Sequence, residues 1–190
     1  MKHILLALLL SVTVFLTSAR NTTSIDAARV AGRSAETCGN PADAVLYYTL
    51  VVTGTGEYVY FSDLTGVNTE LRGGTWTLQA VEAMVFLTQE VSTVPFFRLD
   101  STSAPEVFYT ASTTELINAL NNGYELVGPE VYIYPTQICG SVPFYYLRNA
   151  AKISNFYTTS ESERLAFIAN GYTDVEISGY VLPVGCSQCS

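Results

Sequence analysis

Phe156-Tyr157-Thr158-Thr159-Ser160-Glu161-Ser162-Glu163, closed eight residues later by Gly171-Tyr172, decides the fold, because it occurs twice at a fixed spacing. Forty-eight residues earlier stand Phe108-Tyr109-Thr110, Ser112, Glu115 and Gly123-Tyr124. Tyr132 and Pro135 likewise return as Tyr180 and Pro183, and Val94-Pro95-Phe96 as Val142-Pro143-Phe144. Stepping the same offset toward the N-terminus places Tyr60-Phe61-Ser62 under Phe108-Tyr109-Thr110, Trp76 under Tyr124 and Glu82 under Glu130. Self-similarity at a fixed period marks one supersecondary unit used repeatedly. The units run over 44–91, 92–139 and 140–187.

Each unit has a readable grammar. Val142 to Arg148 is aromatic and β-branched, as strands are, and Asn155-Phe156-Tyr157-Thr158 begins a return strand. Ser160-x-x-Glu163 is a capping box, in which hydroxyl and carboxylate satisfy free N–H groups at a helix start. Leu165, Ile168 and Ala169 then share a helical face, and Asn170-Gly171 ends the helix where glycine accepts a left-handed backbone. The middle unit repeats this with Ser112, Glu115, Ile117, Leu120 and Asn122-Gly123. In the first unit Val67 falls under the capping glutamate and Gly73-Gly74 interrupts the segment, so its helix is expected to be short or missing. The expected fold is α+β and β-rich: three ββα-plus-strand repeats closed around a pseudo-threefold axis. A β-trefoil, also built of three repeats of this length, is the alternative, and helices over Thr113–Asn121 and Glu161–Asn170 would exclude it.

The chain opens with Lys2, His3, a 13-residue apolar run from Ile4 to Leu16 and small residues to Ala19, the pattern of a secretory signal peptide at 1–19. The run is shorter than the roughly 20 residues a membrane-spanning helix requires. Residues 20–43 read as a leader, with a glycosylation sequon at Asn21-Thr22-Thr23. Loss of Lys2 with the signal would leave eight basic residues against 17 acidic ones, a net charge of −9. Such a surface, lacking any Lys/Arg cluster, is a poor partner for nucleic acid or anionic membrane. The expected product is a secreted monomer that needs no cofactor.

The four cysteines, Cys38, Cys139, Cys186 and Cys189, all lie outside the repeated motifs and read as two disulfides. The favoured pairing joins Cys38 to one of the C-terminal pair and Cys139 to the other. With His3 gone no histidine remains, which removes Ser-His-Asp and Cys-His nucleophile systems and leaves zinc short of ligands.

Taken together, Pro95-Phe96-Phe97-Arg98, Phe108-Tyr109-Thr110, Gly123-Tyr124, Pro143-Phe144-Tyr145, Phe156-Tyr157-Thr158-Thr159, Glu163, Gly171-Tyr172 and Gly179-Tyr180-Val181 carry a family resemblance. The chain resembles a secreted tandem-repeat domain of unknown function found in fungi and bacteria, alone or beside cell-wall and polysaccharide hydrolases. The resemblance implies architecture and secretion rather than an activity. The family's usual Gly-Asp-His before Phe-Tyr-Thr-Thr is replaced here by Pro105-Glu106-Val107 and Ile153-Ser154-Asn155.

Three functional readings follow. Thirteen tyrosines and one tryptophan suit stacking on sugar rings, so the leading expectation is a non-catalytic module binding cell-wall or extracellular glycan. Tyr109, Tyr157, Arg98 and Arg148 are its candidate contacts, and alanine at both tyrosines should abolish retention without unfolding the protein. A glycoside hydrolase would need a carboxylate pair, for which Glu82 with Glu130, Glu125 with Asp174, and Asp63 with Glu106 are candidates. An inhibitor or effector binding a partner protein would use the loops at Gly54-Thr55-Gly56 and Pro105. Trp76, Tyr124 and Tyr172, and with them Met84, Tyr132 and Tyr180, are expected in the core.

Overall fold

A computed structural model describes residues 37–186 of the chain. The signal peptide, most of the leader, Asn21 and Cys189 lie outside the described residues. A 3-10 turn at Pro41–Asp43, capped by Asn40, leads into three successive blocks of identical order. The first is β1 (Ala44–Val52), β2 (Glu57–Phe61), α1 (Leu64–Arg72) and β3 (Trp76–Phe86). The middle block is β4 (Val94–Ser101), β5 (Val107–Thr110), α2 (Thr113–Asn121) and β6 (Tyr124–Ile133). The last is β7 (Val142–Asn149), β8 (Ser154–Thr158), α3 (Glu161–Ala169) and β9 (Thr173–Val181). The class is therefore α+β and rich in strand, and helices at 113–121 and 161–169 set the β-trefoil aside.

Within a block the first strand lies between the other two, antiparallel to both. The strand orders are β2-β1-β3-β6-β4-β5 and β8-β7-β9. The blocks meet through single pairings near the ends of their last strands: Phe86 with Tyr132, Tyr134 with Tyr180, and Met84 with Leu182. Gly179 makes one crossing possible, with φ at +155° and a position where any Cβ would collide with Ile133.

The core sits where β2, β5 and β8 converge, and its centre is three tyrosines. The Tyr60 N–H donates to the Tyr109 hydroxyl (3.1 Å), the Tyr109 N–H to the Tyr157 hydroxyl (3.0 Å), and the Tyr157 N–H to the Tyr60 hydroxyl (2.7 Å). Two of the hydroxyls donate onward to backbone, Tyr60 to the Tyr157 carbonyl and Tyr157 to the Tyr109 carbonyl. The rings pack nearly edge-on, with Tyr47, Phe96 and Phe144 beside them. Each ring thus buries its apolar face while its hydroxyl satisfies a strand N–H that has no ladder partner.

This core corrects the sequence reading at several places. Tyr109 and Tyr157 are 1% and 0% exposed, so neither ring is open to a ligand. The pattern could not separate a surface stacking ring from one buried with its hydroxyl on a neighbouring strand. Tyr60 is the counterpart of Tyr109, not of Phe108, because Thr49 pairs with Tyr60 as Arg98 pairs with Tyr109. The first block is thus one residue longer between cap and last strand. The extra residue falls at Gly73-Gly74, which ends α1 rather than interrupting it, with Gly74 at φ +76°. Helix α1 is as long as the others, and its cap is Asp63, whose carboxylate accepts from the Gly66 N–H at 2.7 Å.

The apolar residues expected to bury the helices face outward instead: Ile117, Leu120, Leu165 and Ile168 are 37–56% exposed. The helices are anchored through their first turns. Thr110 donates to the Glu115 carboxylate (2.6 Å) and accepts from the Ser112 N–H (2.8 Å), and Thr158 does the same between Glu163 and Ser160. In α2 and α3 the glutamate therefore reaches the cap N–H through a threonine hydroxyl, which ties each of these two helices to its own second strand.

The disulfide also departs from expectation. Cys38 bonds to Cys139, clipping the entry of β1 to the β6–β7 loop, and not to the C-terminal pair. No described cysteine is free, and Cys186 packs in the same small cluster.

Candidate functional site

An open groove of about 440 Å³ lies between the middle and last blocks. One wall is helix α2 with its C-cap, the helix contributing Glu115, Asn118 and Ala119 and the cap Asn122. These positions are spaced i, i+3, i+4 and i+7, so they form one stripe of a single helix face. The floor is Glu106 and Phe108 of the β5 edge with Tyr124 at the start of β6. The far wall belongs to the last block: Tyr146 and Arg148 of β7, Asn155 of β8 and Val175 of β9.

A fixed polar network runs along the floor. Glu106 is 7% exposed and accepts from Asn155 Nδ2 (3.0 Å) and from the Arg148 guanidinium (3.3 Å). Asn155 is oriented by donating also to the Val107 carbonyl (3.0 Å) and by accepting from the Tyr146 hydroxyl (2.8 Å). Burial, followed by a hydrogen bond to Glu106, pushes the Tyr124 hydroxyl up. Burial likewise raises Tyr146, partly countered by Arg148. Both phenols therefore stay neutral donors. The Arg148 side chain keeps 47% of its surface exposed, so it presents free N–H groups to the groove while its charge is matched by Glu106.

The corresponding joint between the last and first blocks is closed by aromatic packing. Phe167, which stands 48 residues after Ala119, stacks on Phe156 at 3.8 Å and meets Tyr172 at 4.8 Å. Tyr58 of the first block completes the plug. A methyl at Ala119 in place of a benzyl group is thus what leaves room beside α2.

Of the candidate glycan contacts Tyr109, Tyr157, Arg98 and Arg148, only Arg148 lines this groove, and of the candidate carboxylates only Glu106 does. Arg98 is instead folded back on Asp100 by two hydrogen bonds of 2.9 and 3.2 Å. It occupies the register of Tyr146, since each pairs with the central tyrosine of its own block. The proposed carboxylate pairs do not converge. Glu82 is buried against Thr158 and Thr159, accepting from both hydroxyls and from the Thr159 N–H. Glu130 faces Arg98, Asp63 and Asp100, with burial the largest influence raising its proton affinity. Asp174 is bound by Arg164, and Asp63 caps α1. Glu106 shares the groove with Glu115 instead.

Among the expected core positions, Tyr172 is buried at 6%, whereas Trp76 and Tyr124 are only partly covered. Nothing in the sequence pattern groups Tyr124, Tyr146 and Phe108. The legible signal was the polar stripe Glu115-Asn118-Ala119-Asn122, hidden because Glu115 was already accounted for as a cap. The two triplets that break the family resemblance meet here, through the hydrogen bond from Asn155 to Glu106.

A family model described as a domain of unknown function, DUF5648, matches residues 46–182. No curated protein and no solved structure matches the chain.

Proposed function

The chain belongs to the DUF5648 family, and we propose that this member is a secreted, non-catalytic module that binds an uncharged, hydroxyl-rich glycan in the groove beside α2. The observation that carries the reading is the preset Glu106–Asn155–Arg148 network, flanked by Tyr124 and Tyr146 in an open groove of sugar-sized volume. Sugar hydroxyls need donors and acceptors at fixed positions, and aromatic walls cover their C–H faces. An anionic polymer would meet Glu106 and Glu115, and Arg148 is already matched by Glu106. Both carboxylates accept hydrogen bonds where they stand, Glu115 from Thr110 and Glu106 from Arg148 and Asn155. That arrangement favours binding over acid catalysis, which requires one carboxyl to donate.

The architecture proposed with this function is three copies of one unit closed about an axis. The three inter-block pairings support it, since each joins a residue to one 46 positions on, or across the ends, within two sets spaced by 48: Met84, Tyr132, Tyr180 and Phe86, Tyr134, Leu182. The tyrosine cycle supports the same closure. Secretion is supported by the Cys38–Cys139 bridge, since disulfides persist in oxidising compartments. No helix among the described residues is long and apolar enough to cross a membrane.

The test is retention on insoluble chitin, β-glucan, cellulose and peptidoglycan, with soluble oligomers as competitors. Retention on at least one, released by its own oligomer and unaffected by a uronic-acid oligomer, is expected. No retention on any would overturn the reading.

A further inference from the structure

We propose that the outer edge of β3, residues 76–81, is an interface at which a second copy of this chain pairs antiparallel, edge to edge. Strand β3 is paired along its length to β1 on one side. On the other side its partners among the described residues begin only near its end, at Glu82, Met84 and Phe86. Thr77, Leu78, Gln79 and Val81 are all exposed, Leu78 at 47% and Val81 at 39%, so among the described residues no helix or loop buries these side chains.

The contrast with the other last strands names the occupant. Open strand edges invite pairing, and proteins blunt them with charge, proline or twist. In β6 the matching stretch carries Glu125 and Pro129, and in β9 it carries Asp174 and Glu176. Residues Trp76 to Val81 contain neither a charge nor a proline. At a net charge of −8, an acidic region of this chain would repel its own copy. This uncharged edge is self-complementary under a twofold axis, where residue i of one copy faces residue j of the other and no facing pair carries a like-charge cost. The pairing stands independently of the groove, although a dimer would carry two grooves and gain avidity on a polymer. It differs from the monomer expected from sequence.

Sedimentation velocity of the intact protein over a range of concentrations tests this, with Leu78→Glu/Val81→Glu as the comparison. Both side chains are exposed, and thermal unfolding checks that the variant folds. The wild type should move from monomer to dimer as concentration rises, and the variant should dimerise at least tenfold more weakly with an unchanged midpoint. A wild type that stays monomeric throughout, a variant that dimerises equally well, or an edge that instead captures unrelated extended peptides would each overturn the proposal.

Discussion

The tyrosine cycle shows how one hydroxyl can substitute for a missing ladder hydrogen bond. The Tyr157 hydroxyl, like that of Tyr60, serves two backbone groups, accepting from the Tyr109 N–H and donating to the Tyr109 carbonyl. Tyr157→Phe keeps the ring and strands both backbone groups in a dry core. Leaving a buried polar group unpaired costs about 1–3 kcal/mol, so a drop of that order is expected in denaturant unfolding. Tyr157→Ala adds a cavity worth about 3–5 kcal/mol for a large ring and should leave little folded protein. Residue type alone announced aromatic richness but not which rings were spent on backbone. Arg98 and Arg148 illustrate the same limit. Both follow aromatics on a first strand, yet a two-residue difference in register sends one to Asp100 and the other into the groove.

At the scale of elements, the legible features were those set by local chemistry. Ser112 and Ser160, with Asn122-Gly123 and Asn170-Gly171, marked α2 and α3 because caps and left-handed stops depend on near neighbours. The first helix was misread because a one-residue shift moved Asp63 and Gly66 out of alignment with the serine and glutamate. The helix faces were misread because apolar periodicity assumes burial of the apolar side. Here the first turn is held by the threonine relay, and the groove stripe is polar. Replacing Thr158 by valine should remove the relay between Ser160 and Glu163 and leave the cap N–H without its acceptor. A loss of about 1 kcal/mol, typical of a cap, should appear in thermal or denaturant unfolding. Ser62→Ala, outside any such relay, should leave stability within about 0.5 kcal/mol.

For the whole molecule, burial of carboxylates at the joints sets the pH response. Burial is the largest influence raising the proton affinity of Glu57, Glu82, Glu130 and Glu176 above the ordinary value of 4.5, and Glu115 adds to it at Glu176. Each holds its proton more tightly folded than unfolded. Their contribution is therefore fully present below the ordinary carboxylate range and is lost as pH rises through the elevated values. Asp174, held down by Arg164, acts in the opposite sense at lower pH. The thermal midpoint should fall as pH is raised from about 4.5 to 7, and Glu82→Gln should flatten that decline. The Cys38–Cys139 bridge spans 101 residues of sequence, and its removal by Cys38→Ser/Cys139→Ser should cost about 2–5 kcal/mol.

The fold places one open groove where a neighbouring joint is plugged, and a single substitution exchanges these states. Ala119→Phe copies into α2 the ring that Phe167 supplies to α3, filling the groove without touching the tyrosine core. The decisive measurement is retention of the wild type and Ala119→Phe on the same polysaccharide, with equal thermal midpoints verified for both. The wild type should be retained, and the variant should bind at least tenfold more weakly. Equal retention of the folded variant would contradict this and place binding elsewhere on the surface.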